Sequence, residues 1–141
     1  MFSKSCKYGI RAVLYLAVNS SEDKKLGVKE ISENLEVPKH FLAKILQQLS
    51  RHGLISSTKG PSGGFFMNDK DLKKPLRLVV ESIDGPDVFH SCILGLPVCS
   101  SDNPCPLHDT AADYRTGLLE LLEEQNVREV ARKIKEKDLS I

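Results

Sequence analysis

Residues 40–67 read HFLAKILQQLSRHGLISSTKGPSGGFFM, and the fold turns on them. Leu42, Ile45, Leu46 and Leu49 recur at three- and four-residue spacing, which predicts a helix with one apolar face. Pro38 suits its first turn, and Gly53 suits the position just past its last residue, His52. Lys39, His40, Lys44, Gln48 and Arg51 are left facing outward. Leu54–Thr58 then reads as a strand and Phe65–Met67 as its return, joined by a tip containing Lys59, Gly60, Ser62, Gly63 and Gly64. Glycine permits positive φ and close approach of the backbone to a neighbour, so this hairpin can lie along a phosphate backbone or enter a minor groove. It is not a nucleotide-binding loop, because no Lys-Ser/Thr pair follows its last glycine.

Upstream, Val28, Ile31 and Leu35 recur at i, i+3 and i+7 after Gly27, which predicts a short amphipathic helix. Glu36 and Val37 form a tight connector to the helix at 38–52. A short helix, a tight connector, a second helix with a basic and amide outer face, then a glycine-rich basic hairpin make a winged helix-turn-helix. Such a second helix fits the major groove, where Lys, His and Gln reach base edges and Lys and Arg bind phosphates. Further upstream, Tyr8–Val18 is apolar nearly all round, as expected of a helix buried on several sides. Lys4 and Lys7 before that run resemble the start of a signal peptide, but Arg11 interrupts it, so a cytoplasmic chain is expected.

Composition agrees. The 141 residues, 40% apolar and 28% charged, suffice for one domain with a sizeable core, and no stretch approaches the roughly 20 apolar residues of a membrane span. The net charge of +1 conceals a division. Residues 1–80 hold 14 Lys+Arg against 7 Asp+Glu, whereas residues 81–141 hold 6 against 12. A basic half points to a polyanion partner, here double-stranded DNA. Paired carboxylates, a nucleophile elbow and a phosphate loop are all missing from the sequence, so an enzyme is not expected.

Downstream, Pro75 precedes a short apolar-rich helix at Leu76–Ile83, ended by Asp84-Gly85-Pro86. The segment Cys92–His108, CILGLPVCSSDNPCPLH, then gathers Cys92, Cys99 and Cys105 with His108 three residues after the last. Gly95, Pro97, Pro104 and Pro106 make it a loop. In a reducing compartment clustered cysteines more often mean metal or redox chemistry than structural disulfides. The paired knuckles common in structural zinc sites are absent, and an iron–sulfur cluster accepts thiolates on such a loop and can take a histidine as well. Spacing alone leaves a cluster, zinc, a thiol switch and an inert connector open. From about Ala111 to Gln125 a long helix aligns Tyr114, Leu118, Leu121 and Leu122, with Leu119 beside them. This stripe serves either the chain's own core or a second copy. Asn126 and Glu129 form a capping box for a last helix from Val127 to about Lys137.

ISSTKGPSGGFFM after HFLAKILQQLSRHGL resembles the wing and recognition helix of the Rrf-two family of bacterial winged-helix transcription regulators. The likeness runs from KYGIRAVLYLA at 7–17 through ESIDGP at 81–86 to the cysteine loop. Lys59 departs from the arginine of many members; it keeps the charge and loses the planar fork. The resemblance implies a mainly α fold with a small β-hairpin wing and a long C-terminal dimerisation helix. The corresponding division is a DNA-binding domain at 1–86, a cluster loop at 87–109 and dimerisation and C-terminal helices at 110–141. It also implies a homodimer on a pseudo-palindromic operator, and a 2Fe-2S or 4Fe-4S cluster on Cys92, Cys99 and Cys105 that reports iron–sulfur, redox or nitric oxide status. His108 matches the histidine of IscR-like members of the cluster-binding branch. NsrR-like members use a carboxylate from the first helix, where Lys7 stands here; Cys6 beside it reads as a small packed residue. Two readings compete: the same DNA-binding fold with a zinc, thiol-redox or small-molecule or protein effector, and an iron–sulfur carrier or assembly factor.

Overall fold

A computed structural model describes residues 2–141. The chain is mainly helical: α1 (Lys4–Asn19), α2 (Val28–Leu35), α3 (Lys39–Arg51), β1 (Ser56–Thr58), β2 (Gly64–Phe66), α4 (Asp69–Leu72), α5 (Leu76–Asp84), α6 (His108–Glu124) and α7 (Val127–Lys137), with a 3-10 turn at Pro86–Phe89.

The central layer is α1. Ser3 caps it by accepting from the Cys6 amide, and the helix buries Cys6, Gly9, Ala12, Val13, Leu14 and Leu16. No residue from Tyr8 to Asn19 is fully exposed, as the run of apolar residues predicted. Arg11 serves the fold: its guanidinium donates to the Leu35 carbonyl at 2.8 Å, satisfying a carbonyl at the C-terminus of α2. Gly9 lets α5 approach closely, because a Cβ there would collide with Ile83.

The inner face of α3 is Leu42, Ile45, Leu46 and Leu49, all buried, and Gly53 follows the helix at φ +70°. Pro38 stands one place earlier than expected, as the cap residue and not the first helical one. Strands β1 and β2 pair antiparallel, Ser56 opposite Phe66 and Thr58 opposite Gly64. The hairpin starts later than the sequence suggested because Leu54 and Ile55 are drawn into the core. It gains a partner that no periodicity announces: Leu26 exchanges backbone hydrogen bonds with Phe65 at 2.9 and 2.7 Å. A Cβ on Gly64 would sit 2.8 Å from the Leu26 carbonyl oxygen, so the residue facing Leu26 is glycine.

The C-terminal helices share this core. Val127 and Ala131 of α7 are buried, and α7 lies on α1. A backbone bridge closes the connection, Leu76 N–H to the Gln125 carbonyl at 3.2 Å and Val127 N–H to the Lys74 carbonyl at 3.0 Å. The Asn126–Glu129 capping box forms as read. A second capping box, Asn68–Asp71, starts α4; buried Asp71 accepts from Ser56 Oγ at 2.7 Å and thereby ties α4 to the wing.

Candidate nucleic-acid interface and thiol site

The outer face of α3 carries Lys39, His40, Lys44, Gln47 and Arg51, all exposed. Among the described residues, Lys39, Lys44, Arg51 and Lys59 take part in no ion pair. Cations without partners on one surface are the electrostatic footprint of a polyanion site. Gln48, placed outward from the sequence, instead faces α5: it is half-buried and its amide donates to the Ser82 carbonyl at 2.6 Å. His52 Nδ1 meets the Ser82 hydroxyl at 2.5 Å, so a side chain of α3 and that of its C-terminal cap residue hold the end of α5. The neighbouring Gln47 was missed. The signal was present, since 40, 44, 47 and 51 recur at i, i+4, i+7 and i+11 and share one helix face.

The wing tip projects beside that face. Lys59, Gly60 and Ser62 are exposed and Gly63 is half-buried. Gly60 has φ +97°, and the Gly63 amide closes the turn onto the Gly60 carbonyl at 2.9 Å. A Cβ at Gly63 would run into the Thr58 carbonyl, so the tip depends on glycine for its shape. Ser50 and Ser57 hydroxyls, 3.0 Å apart, join the end of α3 to β1. Between helix and wing lies an open notch of about 530 Å³ bordered by Gln47, Arg51, Thr58 and Lys59.

The cysteine loop leaves the 3-10 turn and returns at α6. Three tight turns shape it: Gly95 N–H to Cys92 O at 2.9 Å, the reciprocal pair between Ser100 and Asn103, and His108 N–H to Cys105 O at 3.0 Å. They bring the sulfurs of Cys92, Cys99 and Cys105 within 4.8 Å of one another. Cys92 Sγ is 3.8 Å from Cys105 Sγ, and Cys99 Sγ is 3.2 Å from His108 Nδ1. His108 opens α6, three residues before the predicted start, so this imidazole is rooted in a helix and not in the loop. The amides of Leu96 and Leu94 point at Cys92 and lower its thiol to about 7. The Cys105 amide pulls Cys99 the same way, but desolvation and the adjoining sulfurs outweigh it and leave that thiol raised. Cys6 is buried in the core, and desolvation together with Asp84 pushes its thiol up to about 12. It is a small packed residue, as read from the sequence.

Three thiols and an imidazole make a donor set suited to a tetrahedral ion or to an iron–sulfur cluster. The 3.8 Å between Cys92 and Cys105 equals the edge of a thiolate tetrahedron at a metal–sulfur distance of about 2.3 Å. The donors also fall into two close pairs, Cys92 with Cys105 and Cys99 with His108. The three sulfurs suit either arrangement; the imidazole meets Cys99 but is not part of the group that converges.

Along α6 the apolar stripe divides. Leu122 is buried and Leu118 and Leu119 pack on the core, while Tyr114 and Leu121 stay half exposed or more.

Helix-turn-helix, wing and unpaired cations share one surface of the molecule, and the class they define is a winged-helix DNA-binding transcription regulator. The family model for Rrf2, described as an iron-dependent transcriptional regulator, matches residues 2–133. The chain belongs to that family. It is 30% identical over 141 residues to an HTH-type transcriptional regulator of Aquifex aeolicus, covering 99% of this chain and 96% of the relative. It is 25% identical over 134 residues to the HTH-type transcriptional regulator IscR of Yersinia pseudotuberculosis, covering 89% and 80%. The structure of CymR, the global cysteine regulator of B. subtilis, superposes with a TM-score of 0.74 at 20% identity, covering 94% and 96%; this likeness concerns the fold. These relatives regulate transcription and are not enzymes. No helix among the described residues is long and apolar enough to cross a membrane.

Proposed function

We propose that the protein is a cytoplasmic homodimeric regulator that senses iron–sulfur, redox or nitric oxide status through a cluster held by Cys92, Cys99 and Cys105, with His108 as fourth ligand. The observation that carries the reading is the convergence of those thiols to within 4.8 Å, with the imidazole at the first residue of α6. The description of the family as iron-dependent and the 25% identity to IscR support it. A bound cluster would supply a redox- and nitric-oxide-reactive centre.

Loop order set at His108 acts on the N-terminus of α6. Helix α6 is tied to α5 by Arg77, which bridges Glu123 and Glu81. The far end of α5 holds α3 through Ser82, Gln48 and His52. The sensor loop and the recognition helix are thus two helices apart, joined by polar contacts as well as packing. A ligand that orders the loop biases the position of α3 to the extent that it prefers one arrangement of these helices.

On DNA, Lys39, Lys44, Arg51 and Lys59 would neutralise phosphates, His40 and Gln47 would face base edges, and the backbone at Gly60, Ser62 and Gly63 would lie against a groove wall. Gln47 replaces Gln48 in this set because Gln48 is committed to Ser82. The exposed Tyr114 and Leu121 would meet a second copy, giving two recognition helices for a pseudo-palindromic operator.

A single zinc ion in the same four donors is the second reading, favoured by the 3.8 Å sulfur separation. Purification without oxygen, followed by visible absorption and counts of iron, sulfide and zinc, separates the two. A coloured protein containing iron and sulfide supports the cluster; a colourless protein with one zinc per chain overturns it.

A further inference from the structure

We propose that the cleft between the start of α1, the 3-10 turn and α6 binds a free α-amino acid with an aliphatic side chain. The cleft has a volume of about 670 Å³ and opens beside Cys92. That is within the usual range for small-molecule sites. Phe2, Val88, Ile93 and Ala111 provide apolar wall, and Arg115, Asp84 and Asp87 provide charge.

The decisive group is Arg115. Its Nε is buried and has no hydrogen-bond partner, and its guanidinium forms no ion pair among the described residues. A buried donor left without an acceptor is costly, more so when it is charged. The natural complement is a carboxylate, which can take Nε and one Nη together in a two-point contact. Asp84 does not supply it here: it forms no ion pair with Arg115 and accepts instead from the Ser3 amide at 2.9 Å and from the Ser3 hydroxyl. Asp87 lines the same cleft, is exposed, and its carboxylate enters no ion pair. A cationic and an anionic group on one small cleft disfavour a dianion and match a zwitterion, carboxylate to Arg115 and ammonium to Asp87. The apolar walls select an aliphatic body. Cys92, one of the three thiol donors, also lines the cleft, so an occupant would lie against it.

The test uses the full chain with L-leucine, 4-methylpentanoate, which lacks the ammonium, and isopentylamine, which lacks the carboxylate. Calorimetric titration should show leucine binding saturably and at least tenfold more tightly than either analogue. Arg115→Gln should abolish leucine binding without lowering the melting temperature of the free protein, since the half-buried side chain forms no ion pair among the described residues and its enclosed Nε has no partner to lose. Asp87→Asn should weaken leucine about tenfold and leave 4-methylpentanoate unchanged. Ala111→Leu, which fills the cleft, should also abolish binding. Failure of leucine, valine and methionine alike to bind saturably overturns the proposal. So does an Arg115→Gln protein that still binds leucine normally, or one whose only defect is a shifted monomer–dimer equilibrium, because the guanidinium would then belong to a contact between copies.

Discussion

Two adjacent glutamines on α3 should separate operator reading from helix anchorage. Gln48 donates to the Ser82 carbonyl at 2.6 Å from a half-buried position, so Gln48→Ala removes one hydrogen bond between α3 and α5. The expected cost is about 0.5–1.5 kcal/mol of stability. Gln47 is exposed on the face shared with His40, Lys44 and Arg51. A glutamine amide paired with the adenine edge is worth about 1–3 kcal/mol of discrimination. In a dimer the two half-sites double this to about 2–6 kcal/mol, and the lower bound is already about a 30-fold change in affinity. Gln47→Ala should therefore flatten the preference for the native base at one position of each half-site and leave stability within about 0.5 kcal/mol. Gln48→Ala should lower stability and weaken all operators alike. Fluorescence anisotropy on an operator and its single-base variants at one salt concentration, with chemical denaturation in parallel, reads both quantities. If Gln48→Ala relaxes base preference while Gln47→Ala does not, the placement of the two side chains is refuted.

Lys59→Ala removes one unpaired cation from each wing, so the slope of log K against log salt should become less negative by about 1.8 for a dimer, with base preference unchanged; an unchanged slope removes the wing from the phosphate backbone. Asp71→Ala deprives Ser56 Oγ and the Asn68 amide of their acceptor in a buried position, and thermal or urea denaturation should show a loss of about 2–3 kcal/mol. A loss below about 0.5 kcal/mol would show that the tie between α4 and the wing carries no weight. Cys6, buried and with its thiol pushed up to about 12, stays protonated well above neutrality and should resist iodoacetamide at about pH 8 in the folded protein. Labelling at the rate of an exposed cysteine, read by mass spectrometry, would contradict its burial.

The winged helix was legible because its parts rest on local chemistry. Leu42, Ile45, Leu46 and Leu49 declare a helix face, Gly53 ends it, and the glycines at 60 and 63 are required by the hairpin's own turn. Long-range choices were not legible. Nothing in the neighbourhood of Gln48 says that Ser82 will claim it, and Leu26 joins the wing through backbone groups that carry no side-chain signature. Helix α6 begins at His108 without a side-chain cap, and Pro104 and Pro106 masked that start by reading as loop. For the thiol site the candidate donors came from spacing and resemblance. Their convergence, and the rooting of the imidazole in α6, required the turns at 92–95, 100–103 and 105–108. The division of the α6 stripe into a buried half and an exposed half likewise depends on where α5 lies, which the helical period does not encode.

The central claim is that the state of the Cys92–Cys99–Cys105 site governs DNA binding. The most direct test measures affinity for one operator at fixed salt, using anaerobically prepared metal-loaded protein and the same preparation after chelation. The affinities should differ by at least tenfold, and the difference should vanish in a Cys92→Ser/Cys99→Ser/Cys105→Ser protein that still folds. Equal affinities for the loaded and stripped wild-type protein would contradict it.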